Sequence, residues 1–147
     1  MKFQNCLFLI LLIVCLSCQS KKTDKQTGID STLFYTNPVI GGGSEPWAIF
    51  HEGKYYYTQS LADCIILWET DDITQLAEAA KKNVYSPQNG SGISHLWGPE
   101  IHYMDNKWYI YCAADDGNID NRQIYVLENV SPDPMKGEFV MKGRIST

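Results

Sequence analysis

Basic residues are scarce in this sequence. Twelve Lys and Arg stand against 17 Asp and Glu, a formal charge of −5, and no segment carries a basic stripe. That leaves no electrostatic footprint for nucleic acid. Beyond the N-terminal apolar run no CxxC pair is present, nor any Cys/His spacing of the metal-binding kind, so no metal and no cofactor are expected. Nor is any apolar run long enough for a mature transmembrane helix; the run CLFLILLIVCLSC at 6–18 falls well short of the ~20 residues needed. What is plentiful is aromatic. Phe, Trp and Tyr make up 12% of the chain within a hydrophobic share of 44%. The hydrophobic share is ordinary for a globular protein. The aromatic excess suits both a β core and a carbohydrate-binding cleft.

The short apolar run has another use. Lys2 precedes it, and a polar stretch, QSKKTDKQTG, follows it. This is the layout of an export signal. Ser17-Cys18 resembles a bacterial lipoprotein cleavage site, with Cys15 where an aliphatic residue is usual. Residues 1–17 are then a signal peptide, Cys18 the lipidated residue, 18–33 a flexible tether, and 34–147 the folded part. The expected location is an exported, membrane-anchored lipoprotein, on the periplasmic or cell-surface side. Ordinary secretion and a retained anchor are the alternatives. Of five cysteines, Cys64 and Cys112 remain in the folded part. An exported protein permits a disulfide between them, though buried free thiols suit such isolated β positions better.

The chain repeats itself. PWAIFHEGKYYY at 46–57 and PEIHYMDNKWYI at 99–110 align at a constant offset of 53. Pro46 falls on Pro99, Lys54 on Lys107, Tyr55 on Trp108 and Tyr56 on Tyr109. Both copies read as strand, two-residue turn, strand, because Glu52-Gly53 and Asp105-Asn106 are turn pairs that tolerate positive φ. A third strand follows in each copy, IILWET at 65–70 and IYVLEN at 124–129, offset by 59. The six extra residues fit in the loop ADDGNIDNRQ. A repeat of about 50 residues with several strands each predicts an all-β fold of propeller blades; a duplication inside a sandwich is the plainer alternative.

Blade one is expected over about 45–85, with DDITQLAEAAKKNVY at 71–85 forming one or two helical turns capped by Asp71 or Asp72, or the blade's edge. Blade two is expected over about 97–145, its strands EIHYM, KWYIYCAAD, QIYVLEN and EFVMKGR. Two blades do not close a ring. The expectation is therefore an N-terminal fragment, from a truncated or split gene, with self-assembly as the alternative.

Two strings carry a resemblance. NPVIGGGSEPWAIFHEGKYYYTQS at 37–60 and LWGPEIHYMDNKWYIYCAADDG at 96–117, in this order, resemble the opening of glycoside hydrolase family 43. The resemblance spans about 34–147. It implies two blades of a five-bladed β-propeller, and an inverting hydrolase that removes α-L-arabinofuranosyl or β-D-xylosyl units. Arabinan, arabinoxylan or xylo-oligosaccharide would be the partners, with the membrane met through the lipid. Inversion needs a base that activates water and an acid that protonates the leaving oxygen, held roughly 6.5–9.5 Å apart. By position Glu45 falls on the family's general base, normally Asp. The extra methylene makes Glu45 an adapted base, a sign of decay, or a plain turn carboxylate. The acid and the carboxylate that tunes it are expected beyond residue 147. A sugar-binding lipoprotein without catalysis, or a relic product, is then the alternative function.

Four more residues are candidates for substrate binding: Glu100, Trp47, Trp97 and His95. Glu100 and His102 share one face of their strand by the period of two. Glu100 either lines the pocket or is satisfied by backbone N–H groups. His95 and Trp97 shape the pocket floor or pack the core, and Trp47 stacks on sugar or packs. His102 reads as structural, and Asp115-Asp116 as a loop turn.

Overall fold

The structure, a computed structural model, describes residues 34–61 and 63–145. The signal and tether stretches, Cys18 among them, lie outside the described residues. Tyr35–Thr147 forms one unit built from two four-stranded antiparallel sheets, each in simple sequential order. The first contains β1 (Ser44–His51), β2 (Lys54–Leu61), β3 (Cys64–Thr70) and β4 (Ala80–Tyr85). The second contains β5 (Ser94–Met104), β6 (Lys107–Asp115), β7 (Gln123–Asn129) and β8 (Val140–Arg144). These are two propeller blades.

The repeat read from the sequence is the repeat of the fold. Both hairpin turns use left-handed residues: Glu52 (φ 49°) and Gly53 (φ 83°) in one, Asp105 (φ 49°) and Asn106 (φ 60°) in the other. Two consecutive positive φ values match the right-handed twist of the strands they join. β3 and β7 also coincide at the offset of 59.

Residues 71–85 combine both readings of the sequence: a 3-10 segment at Ile73–Glu78 is followed by β4, an edge strand. Asp72 caps the segment, accepting from Thr74 N at 2.9 Å. Leu76 of this segment is buried against Tyr57 and Trp68, covering the outer face of blade one. β5 departs from the sequence reading: it begins at Ser94, six residues before EIHYM, because its first half is bulged rather than absent.

The main core lies between the sheets. Tyr56, Ile65, Leu67 and Val84 of blade one meet Ile101, Trp108, Ile110, Cys112 and Leu127 of blade two. Period-two alternation explains the set: Trp108, Ile110, Cys112 and Ala114 point inward along β6. Trp108 is fully buried and packs at a tilt against Tyr56 and Tyr103, with ring centroids 4.6 Å and 4.9 Å away. Its indole N–H donates to Pro132 O. Cys64 and Cys112 are free thiols, and burial pushes the Cys112 thiol up to about 12, which leaves it unreactive.

Each blade also carries the same ion pair between its second and third strands. Lys54 Nζ lies 2.5 Å from Glu69 Oε1, and Lys107 Nζ lies 3.0 Å from Glu128 Oε2. In blade two, Tyr109 Oη donates to the same Glu128 oxygen at 3.1 Å, and Lys142 lies 3.4 Å from the other. The Lys107 hydrogen bond, aided by Tyr109 and Lys142, holds the Glu128 carboxyl below its ordinary value of 4.5. A depressed carboxyl contributes stability that is present above its unfolded pKa and lost as pH falls through the folded one. Glu128→Gln is expected to make the melting temperature less dependent on pH on the acid side of about 4.5. Parallel melting curves of the two proteins across that range check it; equal slopes would refute it.

Candidate functional site

The site is built at the bulges of β1 and β5. β1 loses register between Ser44 and Trp47, and β5 loses it between Trp97 and Glu100. These are the same bulge in the two copies. Each contains a left-handed residue followed by proline: Glu45 (φ 55°) then Pro46, and Gly98 (φ 54°) then Pro99. Proline gives the sheet no N–H, so ladder pairing stops and the chain bends. At Gly98 the left-handed backbone is free of penalty. At Glu45 it costs about 1–2 kcal/mol.

The two bulges bond to each other. Gly98 N donates to Glu45 Oε2 at 2.6 Å, and Thr58 Oγ1 donates to Pro99 O at 2.5 Å. One residue further along, Trp47 Nε1 donates to Ile101 O at 3.0 Å. The carboxylate of blade one is thereby fixed on the backbone of blade two.

Glu45 lies at a cavity of about 250 Å³ whose walls include Trp97, Glu100, Tyr111 and Arg122. Its side chain is exposed. The Arg122 guanidinium sits 3.8 Å from the centroid of the Trp97 ring, a cation–π contact that covers one ring face. Glu100 is half exposed, and its Oε2 lies 3.6 Å from His102 Nε2. His102 packs against the rings of Trp47 and Tyr111.

A second cavity, of about 430 Å³, adjoins on the other side of Trp97 and is lined by His95, Asp115, Gly117, Asn118 and Ile119. His95 Nδ1 donates to Asp115 Oδ1 at 3.0 Å, since an ionised carboxylate only accepts. Gly117 N donates to the same oxygen at 2.9 Å. Asp116 ties the following loop, accepting from Asn118 N at 3.0 Å and Asn121 Nδ2 at 2.9 Å. Those bonds hold its carboxyl below the ordinary aspartate value. A larger cavity of about 850 Å³ runs between β4 and β8, among Lys82, Tyr85, Glu138 and Phe139, and holds none of the candidate residues.

Of the sequence candidates, Glu45, Glu100 and Trp97 come together at one cavity, and His95 joins Trp97 at the next. Trp47 stands apart: its N–H is spent on Ile101 O, and it packs against the interblade core. The sequence reading missed Arg122 and the burial of Asp115, which is 1% exposed. The signal for Arg122 is the six-residue excess of blade two, which falls between β6 and β7; no local pattern marks the burial of Asp115.

Comparison with known proteins decides the family. The model of Glycosyl hydrolases family 43 matches residues 35–147. The chain belongs to this family. It is 34% identical over 122 residues to an extracellular exo-α-(1→5)-L-arabinofuranosidase of Streptomyces avermitilis, across 79% of this chain and 25% of that protein. A protein of the same name from Streptomyces chartreusis is 34% identical over 118 residues, across 77% of this chain and 36% of that one. The crystal structure of an α-L-arabinofuranosidase from Lactobacillus brevis superposes with a TM-score of 0.70 at 32% identity, over 77% of this chain and 39% of that one. The chain thus spans about a quarter to two fifths of these relatives' length.

Gly98→Ala tests the bulge. Open space surrounds the position where a Cβ would sit, so the cost is conformational. A loss of about 1–2 kcal/mol in denaturant unfolding is expected; an unchanged midpoint would show that the left-handed backbone is not held there.

Proposed function

We propose that residues 35–147 supply the first two blades, and the base side of the catalytic centre, of an inverting glycoside hydrolase acting on α-L-arabinofuranosyl units. The observation that carries this is Glu45, a carboxylate at the family's base position, pinned by Gly98 N–H at the mouth of a cavity walled by Trp97, Glu100 and Arg122. The relatives named as arabinofuranosidases support the sugar class. Arabinan or arabinoxylan side chains are the substrates this reading favours, with xylo-oligosaccharide the alternative.

In this mechanism Glu45 takes a proton from water as that water attacks the anomeric carbon. The glycosidic oxygen leaves with a proton from a carboxylic acid roughly 6.5–9.5 Å away, across the sugar. One Glu45 oxygen is held by Gly98 N, which leaves the other to orient the water. Pinning matters because a carboxylate misplaced by about 1 Å can cost on the order of a hundredfold in rate.

A second reading is binding without turnover. Glu in place of the family's Asp favours it, since the extra methylene moves the carboxylate. Residues 35–147 alone are expected to show no turnover, because the acid is expected beyond residue 147; the test of both therefore uses the protein extended through the acid-bearing blades, with 1,5-linked arabino-oligosaccharides. Proton NMR follows the anomer first released, and calorimetry follows binding. The catalytic reading expects the β-anomer first, and Glu45→Gln lowers turnover by about 10²–10⁴-fold with binding kept. Equal turnover in Glu45→Gln removes Glu45 as base. Binding with no turnover in the unmodified protein favours the second reading.

We further propose export with a lipid on Cys18. The polar tether after Ser17-Cys18, and two relatives named extracellular, support it. Cys18→Ser is expected to move the protein from the membrane fraction to the soluble one; unchanged fractionation would refute the anchor.

A further inference from the structure

We propose that the cavity of His95 and Asp115 is a second sugar subsite, in which His95 Nε2 accepts a hydrogen bond from a hydroxyl of the pentose next to the one bound at Glu45. The inference rests on the carbohydrate reading above and extends it to a site that reading does not use.

The cavity is built on one side by an insertion. In blade one, β2 ends at Leu61 and β3 begins at Cys64; in blade two, β6 ends at Asp115 and β7 begins only at Gln123. The added loop carries Ile119 on a short turn held by Asp116 and Asn118. Ile119 is 64% exposed although it is a large apolar residue, and it lines the cavity. A sugar presents both C–H surface and hydroxyls, so an apolar lip beside a polar wall matches it.

The polar wall is His95. Its Nδ1–H is committed to Asp115 Oδ1, so the neutral ring presents Nε2 as an acceptor. The His95 side chain is 59% exposed, while that of Asp115 is 0% exposed. Asp115 is thus a positioning residue that fixes the tautomer and orientation of His95. Its other oxygen, Oδ2, is buried and has no hydrogen-bond partner among the described residues. That oxygen is closed to a water-sized donor, so a sugar in the cavity meets His95 and not Asp115.

His95 is itself left-handed, at φ 40°, a conformation that is costly for a non-glycine residue. Strain of this kind collects where a side chain is needed.

Calorimetry on the full chain tests the proposal, with arabinose and 1,5-linked arabinotriose as ligands. The trisaccharide is expected to bind more tightly than the monosaccharide. His95→Ala and Asp115→Asn should each weaken trisaccharide binding by about tenfold, the worth of one hydrogen bond near the upper end of its range, and leave arabinose binding unchanged. His95→Gln, which keeps an acceptor, should retain most of the affinity. His95 is exposed, so His95→Ala remains informative even if Asp115→Asn fails to fold. Undiminished trisaccharide affinity in His95→Ala overturns the subsite while leaving the carbohydrate reading standing. A flat titration of the unmodified protein with both sugars overturns both.

Discussion

Proline has no N–H to give to a sheet, and the two prolines at the bulges of β1 and β5 organise this molecule. Each stops the ladder at a bulge, and each is preceded by a left-handed residue that turns the chain. The groups released from the ladder do not go to waste. Gly98 N–H takes Glu45, and Pro99 C=O takes Thr58. The irregularity that breaks each strand therefore joins one blade to the other. It does so beside the cavity where the carboxylates gather. A regular strand would have satisfied these groups within its own sheet and left Glu45 unanchored.

The apolar core explains why these bonds hold. Trp108, Ile110 and Leu127 exclude water from the interblade space, and Thr58, Pro99 and Ile101 are buried with them. In such surroundings a polar group without a partner is costly. Thr58 and Trp47 thus fix the pairing of the blades more strictly than hydrophobic contact would, because sliding one sheet on the other would strand both donors. Hydrophobic area supplies the attraction, and the hydrogen bonds select the register.

Much of this was legible in the sequence, since a repeat supplies its own alignment. The offset of 53 located both hairpins, and the change to 59 located the inserted loop. β4 was obscured because AKKNVY carries two lysines and follows a stretch with helical spacing; its pairing with β3 decides its state. The start of β5 was obscured because Gly98-Pro99 interrupts the alternation by which strands are recognised. Asp115 read as part of a turn because two adjacent aspartates usually do. Its burial follows from β6 running to the strand's last residue against Ser94, which no local pattern announces. Arg122 belongs to no motif. It comes over Trp97 only because the insertion brings the chain back across the cavity.

A duplicated fold carries an internal control. Where the two copies share a backbone conformation, that conformation belongs to the blade. Where one copy achieves it with glycine and the other with a side chain, the side chain has been placed against a cost. One such position occurs at the bulges, Glu45 (φ 55°) against Gly98 (φ 54°). Glycine in the partner copy shows that the backbone needs no side chain there. The side chain that does occur is a carboxylate, aligned by a hydrogen bond from Gly98 N beside an open cavity. Local backbone stability alone would favour glycine here, so the carboxylate is held against a conformational cost of about 1–2 kcal/mol.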